Sequence, residues 1–157
     1  MATPTYDLLD STTLASSASS VTFTNIDQSY GDLVLVVEGA TSQDTNGRVS
    51  FNGDSANNYR RIRMRGNGSS TNTGISVDNE LVEQIGTLGF FSKIEIMDYS
   101  ATDKHKSVLV RSNKDTSLVY AFAARWANTS AITSLEFYPT AGTLDSGSTF
   151  YLYGIAK

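Results

Sequence analysis

Short runs in which apolar and polar residues alternate recur along the chain, each bounded by turn residues. They read TYDLLDSTTL, VTFTNI, DLVLVVEG, RVSFNGD, YRRIRMR, LGFFSKIEIMDY, KSVLVRS, SLVYAFAARWAN, ITSLEFYP and STFYLYGIA. A period of two is the signature of a strand that buries one face. DLVLVVEG departs from it, because its apolar run is continuous from Leu33 to Val37; such a run suits a strand covered on both faces. The last run has Phe150 and Leu152 on one side and Tyr151, Tyr153 and Ile155 on the other. That pattern places it in the middle of a sheet or at a subunit contact, where tyrosine is favoured.

The punctuation agrees with strands. TNG at 45–47, NGD at 52–54, GNG at 66–68, NKD at 113–115 and AGTLDSG at 141–147 carry Gly, Asn or Asp, which accept positive φ at low cost. SNKDTS between two alternating runs predicts a hairpin. Only SVDNELVEQIG predicts a helical turn or two, with a plain loop as the alternative. ASSASS and GNGSSTNTG are polar and low in complexity; the first predicts a mobile link and the second an exposed loop tip. Pro4 and Pro139 interrupt no central strand.

Composition narrows the class. A chain of 157 residues is one domain, 1–157, able to bury a core without disulfides. Residues 1–20 form either an N-terminal arm or the first strand. Hydrophobic content is 39% and charged content only 18%, the balance being Ser, Thr, Asn and Gly. That is the make-up of an all-β sandwich or barrel with many turns. The net charge of −4 leaves no basic footprint for nucleic acid. No basic segment followed by an apolar run opens the chain, so no signal peptide is expected, and no stretch suits a membrane helix.

Candidate chemistry is sparse. There is no cysteine and a single histidine, His105, in the polar turn TDKHKS. Thiol catalysis and Cys- or His-based zinc sites are thereby excluded. No GxSxG, P-loop or GxGxxG stretch occurs. Carboxylate pairs remain for glycosidase chemistry, Glu80 with Glu83 or Glu95 with Asp98. Asp44, Asn46, Asn52, Asp54 and Asn57 are oxygen donors close in sequence; they are either calcium ligands or Asx-type turns. The expectation is no catalytic residue, no metal and no cofactor.

Two features point to binding. Period two puts Arg61, Arg63 and Arg65 on one strand face, opposite Ile62 and Met64. They either pair with carboxylates of the neighbouring strand or of another protein, or bind phosphate or an acidic sugar. Trp126 ends a strand, where it either closes the core or serves as a sugar platform.

The stretches VSFNGDSANNYRRIRMRGNG and ITSLEFYPTAGTLDSGSTFYLYGI resemble a pattern found in small structural proteins of tailed bacteriophages, especially marine and cyanobacterial phages. There, an FNGD…NY turn precedes a C-terminal I…I.LYP..G.F.SGSTF.LYGI. The resemblance spans residues 26–155, includes YGDLVLVVEGATS, and is most specific from Ile132 to Ile155. Glu136 stands where the pattern has an apolar residue or Arg, and Leu144 where it has an aromatic. The resemblance implies a jelly-roll-like antiparallel β-sandwich of about eight to ten strands with little or no helix. It implies a virion protein, assembled in the host cytoplasm and located on the capsid surface, that is not an enzyme. A self-contained domain of this size best suits a capsid decoration or cement protein, homo-oligomeric and bound to the major capsid protein. Arg61, Arg63, Arg65, Tyr151 and Tyr153 are then the expected partner contacts. The alternative is a tail or head fibre module that recognises host-surface glycan through Trp126. Neither reading involves nucleic acid or a membrane.

Overall fold

The alternating runs become strands, and two further strands appear between them. The computed structural model describes residues 5–115 and 118–157, with no helix among them. Two antiparallel sheets pack face to face as a jelly-roll-like sandwich. The larger has the order β1 (Tyr6–Thr13), β12 (Thr149–Ile155), β3 (Asp32–Gly39), β8 (Phe90–Met97), β9 (Lys106–Lys114), β10 (Leu118–Trp126), β5 (Tyr59–Gly66), β6 (Thr71–Ser76). The smaller runs β2 (Val21–Phe23), β11 (Leu135–Pro139), β4 (Thr45–Phe51), β7 (Val82–Ile85).

The core lies between the sheets. Leu33, Leu35 and Val37 of β3, Ile94 and Ile96 of β8, and Phe150 and Leu152 of β12 face Phe23, Phe51, Val82 and Phe137 of the smaller sheet. Burial of each such side chain contributes about 1.5–3 kcal/mol. The continuous run of β3 is explained by its place. Val34 points away from the core, yet it is only 1% exposed, between Tyr153 and Glu95 of the neighbouring strands. The closing strand β12 is one strand in from the edge, covered laterally by β1. At its end Tyr30 packs flat on Gly154, where any Cβ would meet the ring at 2.5 Å.

Four local expectations are corrected. TNG at 45–47 is not a turn but the start of β4, with a register shift between Thr45 and Gly47. Gly47 is needed there, because a Cβ would stand 3.0 Å from both Phe137 and Val82. SVDNELVEQIG forms neither helix nor plain loop: its end is β7, with Val82 and Ile85 buried and Gln84 at φ 46°. The second half of GNGSSTNTG, from Thr71, begins β6, which pairs with β5, and only residues 67–70 turn. ASSASS is held rather than loose, since Ala18 and Leu144 exchange backbone hydrogen bonds of 3.0 and 2.8 Å. The hairpin at SNKDTS joins β9 to β10; its Thr116 and Ser117 lie outside the described residues.

Candidate binding face

β5 carries Arg61 and Arg63 on its inward face, whereas Arg60 is exposed. Tyr59 and Arg61 are buried, Arg63 is half-buried, and Ile62 and Met64 project to solvent. The inversion follows from what lies opposite, the acidic segment leading into β7. Arg61 is 6% exposed; its Nε donates to Asp78 Oδ1 at 2.9 Å and its Nη2 to Glu80 Oε2 at 3.4 Å. Its Nη1 lies 3.7 Å from Glu83, and its guanidinium lies over the Phe122 ring at 5.4 Å. Arg63 donates to Glu83 and, at 2.7 Å, to Asn72 Oδ1. Partner contact through Arg61 and Arg63 is therefore corrected to pairing within the chain. Arg65, further along β5, has no ion-pair partner among the described residues.

The same pairs absorb the carboxylates considered for catalysis. Glu80 also accepts from Arg48 at 3.0 Å, Glu95 lies 2.6 Å from Lys93, and Asp98 lies 3.6 Å from Lys104. Burial would raise the Asp78 carboxyl, but hydrogen bonds from Ser76 and Arg61 outweigh it and leave the pKa below the usual value. The side-chain oxygens of Asp44, Asn46, Asn52 and Asp54 are taken by N–H donors. Asp54 Oδ1 accepts from Ala56 N at 2.9 Å, and Asn52 Oδ1 from Thr133 N at 2.9 Å and Ser134 N at 3.1 Å. Asp54 thus closes an Asx-type turn, and Asn52 ties its turn to the segment before β11. No group of three or more His, Cys, Asp and Glu side chains is placed to hold a metal among the described residues. His105 is exposed in its turn.

Trp126 is fully buried, which corrects its reading as a sugar platform. It stacks with Tyr59 at 6.4 Å and meets Phe51 edge-on at 5.5 Å, while its indole N–H donates to Asp54 Oδ2 at 2.8 Å. The closing-strand tyrosines do face outward. Tyr151 and Tyr153 stack at 6.4 Å, and Tyr6 of β1 meets Tyr153 edge-on at 6.3 Å. With the exposed Leu8 they form an aromatic cluster at the β1–β12 end of the larger sheet.

Register extends this outer face across all eight strands. Ser11, Tyr151, Val36, Lys93, Arg111, Ala121, Met64 and Thr73 are successive cross-strand partners. From β8 to β6 the face holds an open groove of about 760 Å³. Met64, Val119, Ala121 and Phe91 provide its apolar surface; Thr71, Thr73, Asn72 and Asn113 add hydroxyl and amide groups. Three cations line it, Arg65, Lys93 and Arg111, and no carboxylate does among the described residues. Lys93 is shared with Glu95 and lies 5.7 Å from the Tyr6 ring centre. Arg111 is exposed, with no ion-pair partner among the described residues. The alternation of KSVLVRS signals that Arg111 faces outward, but only strand pairing brings it beside Lys93 and Ala121.

No protein-family model matches the chain, and no curated protein sequence does. Among solved structures it is similar to exo-inulinase from Aspergillus awamori, at 14% identity and a TM-score of 0.41 over 96% of this chain and 29% of that one. The chain thus spans less than a third of that enzyme. Galectin LEC-6 of Caenorhabditis elegans aligns over 100% of this chain and 99% of its own at 8% identity, with a TM-score of 0.38. Alginate lyase Aly36B aligns over 92% and 77% at 9% identity, with a TM-score of 0.41. The likeness is one of all-β architecture.

Proposed function

We propose that the chain is a non-enzymatic structural protein of a bacteriophage virion, a capsid decoration or cement protein that binds the major capsid protein as a homo-oligomer. The observation that carries this reading is the aromatic cluster of Tyr6, Leu8, Tyr151 and Tyr153. It is left in solvent across β1 and β12, and its Tyr151 and Tyr153 lie within the stretch that carries the resemblance to phage structural proteins. Tyrosine supplies a large apolar area with a polar tip, which suits a surface soluble before assembly and buried after it. The engagement of the acidic side chains by arginine and lysine supports a binding role over hydrolysis. No cofactor enters this function.

Quantitative mass spectrometry of purified particles of the phage carrying the gene tests the proposal. The expected result is a fixed stoichiometry to the shell protein, with Tyr151→Ala/Tyr153→Ala lowering occupancy on heads. Absence from the particle would overturn it; a copy number matching a tail or fibre would replace decoration by host recognition. A second reading, recognition of host-surface carbohydrate, is favoured by the groove from β8 to β6 rather than by Trp126, and it applies to a decoration protein or a fibre module alike.

A further inference from the structure

We infer that the groove from β8 to β6 is a binding site for an acidic glycan, a sugar chain bearing carboxylates. The inference rests on the carbohydrate reading of that face and not on capsid attachment.

Charge carries it first. In a chain with 16 acidic and 12 basic residues, a groove lined by Arg65, Lys93 and Arg111 and by no carboxylate departs from the average sharply. Lys93 and Arg111 are also directly opposite in the β8–β9 ladder. Like charges in that position repel and lower stability. Glu95 relieves Lys93, but nothing among the described residues pairs with Arg111. An anion lying along the row would turn the repulsion into attraction, and guanidinium takes a carboxylate with two parallel hydrogen bonds.

The remainder of the lining selects among anions. Strands β9, β10 and β5 of the floor are hydrogen-bonded on both sides, so they offer an extended peptide no strand to join; only the outer edge of β6 is unpaired. Across the floor, recognition must come from side chains. Ala121 and Met64 offer a low apolar surface for a sugar ring, and Asn72, Asn113 and the threonines offer partners for its hydroxyls. The volume is within the usual range for a small-ligand site, about 300–1,000 Å³. A net charge of −4 disfavours nucleic acid, whose binding needs a broad basic footprint.

Calorimetric titration of the full chain with oligogalacturonate, and with a neutral galactan oligomer of equal length, decides the matter. Expected are binding of the acidic oligomer only, weakening with salt, and a loss of about tenfold or more for Arg111→Gln. Glu95→Gln should tighten binding by freeing Lys93, a gain that misfolding cannot produce. Equal affinity for both oligomers would sink the acidic specificity while leaving carbohydrate recognition standing. Binding of neither would overturn recognition on this face altogether. Tighter binding of polyglutamate, with the same Arg111 dependence, would replace the glycan by an acidic protein segment.

Discussion

Trp126 shows how one residue's environment decides its role. Its ring fills the space between Phe51 and Tyr59, and its N–H reaches Asp54, whose other carboxylate oxygen clamps the turn at Ala56. Trp126→Ala should therefore cost about 3–5 kcal/mol in chemical denaturation, the usual cost of emptying such a site, and leave glycan affinity of the folded fraction unchanged. Lys106 is a second fully buried residue with a structural task. Its Nζ donates to the carbonyls of Ala101, Lys104 and Thr129 at 2.8, 2.9 and 3.2 Å, tying two loops together. Burial lowers its pKa. The carboxylates set the acid limit. Hydrogen bonding by Lys114 holds Asp44 below the usual range; at Asp54, donation by Asn58 and Trp126 outweighs burial. With Asp78, these groups have folded pKa values lower than the unfolded value of about 3.9. Their stabilisation is complete above that value and is lost as pH falls through the lowered folded pKa values. Melting temperature should accordingly hold at mildly acid pH and drop below about pH 4; Asp54→Asn should flatten part of that drop.

At the scale of elements, β5 and β7 show what a single chain reveals and what it hides. The alternation of YRRIRMR sets Arg61 and Arg63 opposite Ile62 and Met64, but not which side faces inward: apolar Ile62 and Met64 are the natural inward choice. The carboxylates that reverse it, Asp78, Glu80 and Glu83, belong to a segment with too short an apolar run to be recognised as a strand. β6 was hidden for a related reason: Thr, Asn, Gly and Ser carry little strand signal until β5 pairs with them. The cationic groove was invisible because Lys93, Arg111 and Arg65 are far apart in sequence and meet only through register. Long, strongly patterned runs such as DLVLVVEG and KSVLVRS, in contrast, needed no tertiary information. The β5–β7 pairing is also an asymmetric interaction energetically. Removing one side leaves a buried charge unpaired, at about 3–5 kcal/mol, whereas replacing both sides by apolar groups is often near neutral. Glu83→Ala should thus destabilise, since it leaves Arg63 with only the neutral Asn72, while Arg61 keeps Asp78 and Glu80. Arg63→Met in the same chain should recover part of the loss, read as a coupling in a double-mutant cycle.

At the scale of the whole molecule, β1 covers the edge of β12, the two pairing from Tyr6 with Ile155 to Thr13 with Thr149. β1 suits an edge, since its register shifts between Leu8 and Asp10 and it carries Asp7 and Asp10; bulges and charges discourage pairing with other molecules. β12 has no charge and bears Phe150, Tyr151, Leu152, Tyr153 and Ile155, which together make an adhesive edge once uncovered. Removal of residues 1–13 should therefore leave a chain that associates through β12, detected as higher-mass species in light scattering and as lower thermal stability. The two ends of the outer face should respond differently. Tyr6 is part of the aromatic cluster, so attachment to heads should fail in the truncated chain. Arg65, Arg111 and the groove floor belong to β5, β9 and β10, several strands away, and Lys93 would lose only its contact with the Tyr6 ring. Oligogalacturonate binding by the soluble fraction should survive with a small change in affinity. Loss of both activities together would mean that the sheet acts as one cooperative surface; loss of attachment alone would establish an adhesive end and a recognition groove that share a scaffold and act independently.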